Sequence, residues 1–404
     1  MIKSDFKYLF PIFNNNPNLV YFDHASTSLK PKKMIIALEN FYCNNGVSTK
    51  SFYDLSEHNT LLVEKTRKKT AYFINSCSEE IIFTKSTTES LNMLAFGLSH
   101  LLKEGDEIII SELEHNASFL PWLRISKQTK AKLVFIPLND NNQINFYNFK
   151  KVFNKKTKIV ILTHISNVLG YKPPIKEITN LAHSSNALVI LDSAQYVSHF
   201  RLDVRDLDVD FVCFSAHKMY GPFGLGILFV KNNLLYLLKP LLLGGGIIEL
   251  FDSNDFSYKF NVNKFEAGTY NISSIISFKE VLEFINDIGF EKIIDHERKI
   301  YQYAIEQLKK FSNIIIYNPD SYNIITFNLT NINAHDVVTF LAKENICVRV
   351  GKLCADLILK KIKQTSVIRI SIGIHNNKND VVLLINALKK IINFFKRFKN
   401  DEIL

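Results

Sequence analysis

Short, almost wholly apolar runs alternate with amphipathic stretches through the middle of the chain. The runs "EIIF" (80–83), "DEIII" (106–110), "KLVFI" (132–136), "KIVILT" (158–163) and "ALVILD" (187–192) carry little polar alternation. That is the pattern of strands covered on both faces. The stretches near 87–103 and 116–128 have helical spacing. Strands alternating with helices predict a parallel, doubly wound α/β sheet with right-handed crossovers. "DFVCFS" (210–215) and "GLGILFV" (224–230) extend it, the second as an antiparallel or edge strand.

Beyond about residue 285 the pattern changes. A long helical stretch, "GFEKIIDHERKIYQYAIEQLKKF", precedes "NIITFNL", "HDVVTFLAKENICVRV", "SVIRISI" and a final helix. These predict a smaller α+β domain over 286–404, joined by the N-terminal segment 1–19, beside a large domain over 20–285. The last helix, "NDVVLLINALKKIINFFKRF", is amphipathic and basic. It suits either a cover for the small sheet or a role at a membrane surface or partner. The first needs nothing outside the chain.

Composition narrows the class. The 404 residues are 47% apolar, with 14 Gly and 10 Pro, which excludes a disordered or collagen-like protein. The net charge is +10, which raises nucleic-acid binding as a question. The basic residues, however, are spread through Lys/Asn/Ile/Phe-rich stretches such as "FYNFKKVFNKKTK", the bias of an AT-rich coding sequence. No zinc spacing, RNP aromatic motif or basic zipper accompanies them, so no nucleic-acid partner is expected. Five scattered cysteines without a CxxC argue against a zinc ribbon or disulfide framework and for a reducing, cytoplasmic setting. No leader-like apolar run opens the chain, and no window holds about 18 uninterrupted apolar residues. A membrane partner is therefore not expected.

Chemistry is to be sought beyond the carboxyl ends of the strands, where ligands bind in such sheets. Five strand ends carry polar clusters: "FTKSTTES", "ISELEHNA", "LTHISNVLG", "ILDSAQ" and "CFSAHKMYGP". In the last, Lys218 follows Ser215 and His217 into a turn, a setting for Schiff-base chemistry if burial lowers its pKa. A surface lysine is the plain alternative. Asp192 ends a run of four apolar residues, a costly place for a carboxylate without a cationic partner. A protonated pyridine nitrogen would be such a partner; a buried helix cap is the other reading. "STTE" alone is a capping box. With Ser215 and His217 nearby, Thr87 and Thr88 at a helix start would form a phosphate cup. A nucleotide P-loop is rejected, since its glycines are missing.

Taken together, these stretches resemble the class V branch of the fold-type I pyridoxal-phosphate enzymes, and within it the group II, SufS-like cysteine desulfurases. The likeness runs from "YFDHAST" (21–27) to the last helix and includes "FEAGT" (265–269), "HDV" (335–337) and "RVGKLCAD" (349–356). The resemblance implies a large domain with a mostly parallel sheet, a smaller C-terminal domain and a homodimer. It implies that Lys218 holds pyridoxal 5'-phosphate and moves the substrate's α-proton. His115 would stack on the ring and assist proton transfer, Asp192 pair with its nitrogen, Gln195 bond its phenolic oxygen, and Asn167 orient ring and substrate. Thr87, Thr88, Ser215 and His217 would take the phosphate, with Thr269 reaching in from a second subunit.

In the small domain, the resemblance makes Arg369 a clamp for the substrate carboxylate, with Arg349 near it. Cys354, in a short Lys-rich loop, would accept sulfur from L-cysteine as a persulfide and release L-alanine. A SufE- or SufU-like acceptor protein would carry that sulfur toward iron–sulfur clusters. A selenocysteine lyase or another β-eliminating relative is the alternative on the same scaffold. The other four cysteines read as structural. The chain departs from the family pattern at His24, Ser26, Ser86, Lys352 and Leu353, none of which has a bond-making role.

Overall fold

The computed structural model describes residues 6–401. They divide into two compact units. One comprises Lys33–Ile165 and Lys172–Asp287; the other comprises the chain through Lys32, Ser166–Tyr171, and Ile288 onward.

The first unit is built on a seven-stranded sheet of β1 (Ile81–Thr84), β2 (Glu107–Ser111), β3 (Lys132–Ile136), β4 (Thr157–Thr163), β5 (Leu188–Asp192), β6 (Phe211–Ser215) and β7 (Gly226–Val230). Its order is β1-β7-β6-β5-β4-β2-β3. The α/β class and mostly parallel sheet expected from the sequence are present, and each strand lies within two residues of its apolar run. Of the two readings open for β7, the antiparallel one holds and the edge one does not: it lies between β1 and β6, antiparallel to both. The connection 216–225 is too short for the crossover a parallel return needs, so the chain doubles back. β3 forms one edge, opposite β1, and this run was expected to be covered on both faces but is not, since Lys132 and Phe135 are exposed. A lysine there discourages edge-to-edge pairing.

Alternate residues of the inner strands face one side of the sheet. Ile108, Ile110, Ile159, Ile161, Ile190, Phe211 and Leu228 form a core there with Leu91, Leu94 and Leu98 of the helix Thr87–Leu98 and with Trp122. Burying each such side chain contributes about 1.5–3 kcal/mol. This helix is shorter than its periodicity suggested. It gives way at Leu98 to a 3-10 turn, Ser99–Leu101, before the chain re-enters the sheet through Gly105 in the left-handed region. Its start is positioned by Gly226 on β7. A β-carbon there would lie 2.5 Å from the Ser86 carbonyl carbon, so only glycine admits this close approach.

The second unit has a four-stranded antiparallel sheet of β8 (Ile314–Ile316), β9 (Ile324–Leu329), β10 (Arg349–Gly351) and β11 (Val367–Ser371), in the order β8-β9-β11-β10. The helices Phe290–Leu308 and Lys378–Asp401 join it in one core through Ile300, Ala304, Leu308, Val381, Leu384 and Leu388. The basic last helix therefore spends its apolar stripe on the small sheet. Two segments distant in sequence belong to this unit. Val20–Tyr21 pairs in parallel with Ile346–Cys347. In the 166–171 loop, the Leu169 carbonyl accepts from Asn318 Nδ2 at 2.9 Å, and the Val168 carbonyl accepts from Thr326 Oγ1. Among the described residues, no helix is long and apolar enough to cross a membrane.

Candidate active site

The carboxyl ends of β4, β5 and β6 and the start of the helix Thr87–Leu98 gather most of the first unit's candidates. Asp192 closes β5 and is 5% exposed. Its Oδ1 accepts the Ala194 N–H at 3.0 Å. Burial pushes its pKa up, while the positive charge of Lys218 and the Ala194 hydrogen bond pull it down. Lys218 ends the 3-10 turn Ala216–Lys218 that follows β6 and is half-buried, not a surface lysine. Gln195 is buried just beyond Asp192. The next residue, Tyr196, stacks on His164, with ring centroids 3.5 Å apart.

Two clusters separate in sequence meet at the helix start. Ser215 Oγ accepts the Thr87 N–H at 2.7 Å and lies 2.6 Å from Thr87 Oγ1. Ser86 caps the helix, accepting from the Glu89 N–H at 3.2 Å. Half of the capping box is thus formed; the Glu89 carboxylate turns instead to the Lys85 N–H. Hydroxyls and N–H groups at the positive end of a helix dipole form a donor set suited to a phosphate. Thr88 is exposed on the same turn. His217 is half-buried, its ring stacked on Phe223 at 5.5 Å.

His115 caps the helix Asn116–Thr129 with its ring: Nδ1 accepts the Ala117 N–H at 3.0 Å. An accepting Nδ1 carries no proton, so the neutral ring has its hydrogen on Nε2. The preceding Glu114 was not a sequence candidate. It is fully buried, and its carboxyl accepts from Ser111 Oγ at 2.8 Å, Ser118 Oγ at 3.0 Å and the Thr163 N–H at 2.8 Å. It thereby ties the turn carrying His115 to the end of β4, which pairs Thr163 with Asp192. Burial pushes its pKa up to about 8. Its place in "ELEHNA" is the sole local signal for this role.

Thr269 is exposed. It lines a cavity of about 410 Å³ with Thr84, Lys85 and Glu266. Glu266 anchors this segment: its oxygens take Arg67 at 2.7 and 2.9 Å, and Oε1 also takes the Phe83 N–H at 2.8 Å. Both side chains of this ion pair are buried.

The second unit brings together Asn167, Arg349, Arg369 and one residue the sequence reading passed over, Asp23. Arg349 and Arg369 lie directly opposite on β10 and β11. Like charges so placed repel. Asp23 relieves this by bridging them, with Oδ2 3.0 Å from Arg349 Nη2 and Oδ1 3.0 Å from Arg369 Nη2. Arg349 is exposed and also reaches Ser26 Oγ. Arg369 is 3% exposed, and burial pulls its pKa down against the support of Asp23. Its Nη1 donates to the Asn167 carbonyl at 2.9 Å, while its buried Nε has no partner among the described residues. Asn167 Nδ2 in turn donates to the Leu353 carbonyl at 2.8 Å.

Cys354 follows Leu353 and is exposed. Both residues have positive φ, 55° and 52°, a conformation that non-glycine residues seldom adopt. Lys352 of the same loop is paired with Asp356 at 2.9 Å. Of the other four cysteines, read from the sequence as structural, Cys213 is buried, Cys347 half-buried, and Cys43 and Cys77 exposed.

The family profile Aminotransferase class-V matches residues 20–384. A probable cysteine desulfurase of Halalkalibacterium halodurans is 37% identical over 403 residues, covering 98% of this chain and 99% of that protein. One from Staphylococcus aureus is 38% identical over 395 residues, covering 96% of each. Among solved structures, the Escherichia coli cysteine desulfurase CsdA is similar, with a TM-score of 0.91 and 32% identity, covering 96% of this chain and 98% of that one. The apo cysteine desulfurase of Thermococcus onnurineus is similar with a TM-score of 0.93 and 31% identity, covering 97% and 98%.

Proposed function

Because this chain belongs to the aminotransferase class-V family, we propose that it is a pyridoxal-phosphate-dependent cysteine desulfurase. It takes L-cysteine, releases L-alanine and retains the sulfur as a persulfide for iron–sulfur cluster assembly. The observation that carries this reading is Asp192, a buried carboxylate at a strand end whose charge partner is Lys218. It combines with a phosphate-type donor set at the neighbouring helix start. Full-length likeness to relatives named as probable cysteine desulfurases supports the choice of substrate.

The residues fit the cofactor by their chemistry. Asp192 is a buried anion suited to a protonated ring nitrogen. Thr87, Ser215 and the helix N-terminus offer N–H and hydroxyl groups for a phosphate, with Thr88 and His217 beside them. Gln195 suits a phenolic oxygen, and His115 an aromatic ring. Pyridoxal phosphate, when bound, supplies an electron sink that makes the substrate's α-proton acidic.

The chain's own groups do the rest. Lys218 holds the cofactor, and its Nζ takes and returns the α-proton. Arg369 and Asn167 hold the substrate carboxylate, with Arg349 alongside; a guanidinium fork matches that anion. Cys354 Sγ, as thiolate, bonds to the substrate sulfur. The carbon–sulfur bond breaks with its electron pair staying on the carbon fragment, which gains protons and leaves as L-alanine. The exchange needs no external oxidant: L-cysteine and a thiol become L-alanine and a persulfide. A homodimer, with Thr269 serving the second subunit, and a SufE- or SufU-like acceptor complete the proposal.

The test is to purify the protein with pyridoxal phosphate, record its absorption spectrum, and add L-cysteine with a reductant. A yellow protein forming alanine and sulfide in equal amounts is the expected result. A colourless protein, or alanine formed at the same rate by Cys354→Ala, would overturn the reading. Preference for L-selenocysteine with no turnover of L-cysteine would replace it by a selenocysteine lyase.

A further inference from the structure

A continuous set of hydrogen bonds in the second unit links the carboxylate clamp to the nucleophile's loop. It runs from Asp23 to Arg369 Nη2, from Arg369 Nη1 to the Asn167 carbonyl, and from Asn167 Nδ2 to the Leu353 carbonyl, one residue before Cys354. Asn167 is therefore held by its main chain to the clamp and by its side chain to the loop. It is 6% exposed, and among the described residues Oδ1 is buried without a partner, as is Arg369 Nε. Buried polar groups left unpaired are costly. These two are therefore available to a ligand that brings its own acceptors and donors.

The loop depends on such an anchor. Leu353 and Cys354 sit consecutively in the left-handed region, which costs energy for residues carrying a β-carbon. Within the loop, the turn closes through the Ala355 N–H to the Lys352 carbonyl at 3.0 Å and through the Lys352–Asp356 pair at 2.9 Å, which is exposed. Exposed ion pairs hold little. The buried Asn167 amide reaches the loop from outside.

We propose that Asn167 is a positioning residue for Cys354, fixing the strained Leu353–Cys354 pair with respect to Arg369. The clamp and the sulfur are then registered to each other by one side chain. A substrate carboxylate seated on the clamp meets a thiol already placed for its sulfur. Its catalytic meaning rests on the proposed roles of Arg369 and Cys354; the mechanical link stands on the contacts alone.

The test reads the loop directly. Holoenzyme is treated with iodoacetamide, and labelling of each cysteine is followed by peptide mass spectrometry. Cys354 is already exposed, so its labelling reads how the thiol is held; loss of the anchor frees the segment, and Asn167→Ala should change the Cys354 labelling rate at least about threefold. Exposed Cys43 and Cys77 should keep their rates, and buried Cys213 should remain protected. Arg369→Lys, which loses the planar fork that holds the Asn167 carbonyl, should move Cys354 in the same direction. If Asn167→Ala unprotects Cys213, Asn167→Asp, which keeps the shape but removes the N–H donors, is read by the same criterion.

Unchanged Cys354 labelling with Cys213 protected would overturn the proposal. The functional reading fails separately, if wild-type holoenzyme forms no alanine from L-cysteine whatever the labelling shows.

Discussion

The candidate residues fall into two groups held in different ways. Around Asp192, several side chains are held by buried hydrogen bonds on a mostly parallel sheet. Ser215 is bonded to Thr87, and Glu114 joins Ser111, Ser118 and Thr163. Around Cys354, the thiol lies on an exposed loop of two left-handed residues, held by Asn167 and by contacts within the loop. Under the proposed function, a rigid cradle suits a cofactor gripped through every turnover, and a thiol that takes sulfur and passes it on needs access. The first group is held by buried contacts, and the second keeps its exposure.

The largest expected difference between the groups is in activity and colour. Lys218→Ala should lose the cofactor's absorption and lower alanine formation by at least about a hundredfold. Cys354→Ala should lower alanine formation by a similar factor while the protein stays yellow. Spectra and alanine assays on both variants check this, and a colourless Cys354→Ala would break the distinction.

Stability should follow the same division. Arg67→Ala strands the buried carboxylate of Glu266 and should destabilise by about 3–5 kcal/mol, read by denaturant unfolding. Lys352→Ala, which removes the exposed partner of Asp356, should leave the unfolding midpoint unchanged. Equal shifts from the two would erase the contrast between buried and exposed anchoring.

The smallest effect lies in pH. Burial raises Glu114 from an ordinary value of 4.5 to about 8, so between those values the folded state binds more protons than the unfolded chain. Stability from this group is complete below the lower value and is lost as pH rises through the upper one. Glu114→Gln should therefore show a shallower fall in melting temperature from about pH 5 to about pH 8 than the wild type. Parallel curves would mean that this carboxyl is not held protonated.

Much was legible in the chain itself. Apolar runs fixed where the strands lie, because a strand covered on both faces has no room for polar alternation. The polar residues after those runs marked Lys218, Asp192, His115 and Ser215, because side chains at strand ends are those free to meet a ligand. Strand direction was legible in part; position within the sheet was not. β7 proved internal and antiparallel, since its place depends on the short 216–225 connection and on Gly226 fitting against Ser86.

Pairings distant in sequence were equally hidden. Asp23 lies 346 residues from Arg369, and Asn167 lies 186 residues from Leu353. Local spacing carries no information about such contacts. The sequence by itself determined which groups this protein carries and near which strand ends they fall. Tertiary structure alone decided which of them share hydrogen bonds, because burial forces each polar group to find a partner wherever the fold supplies one.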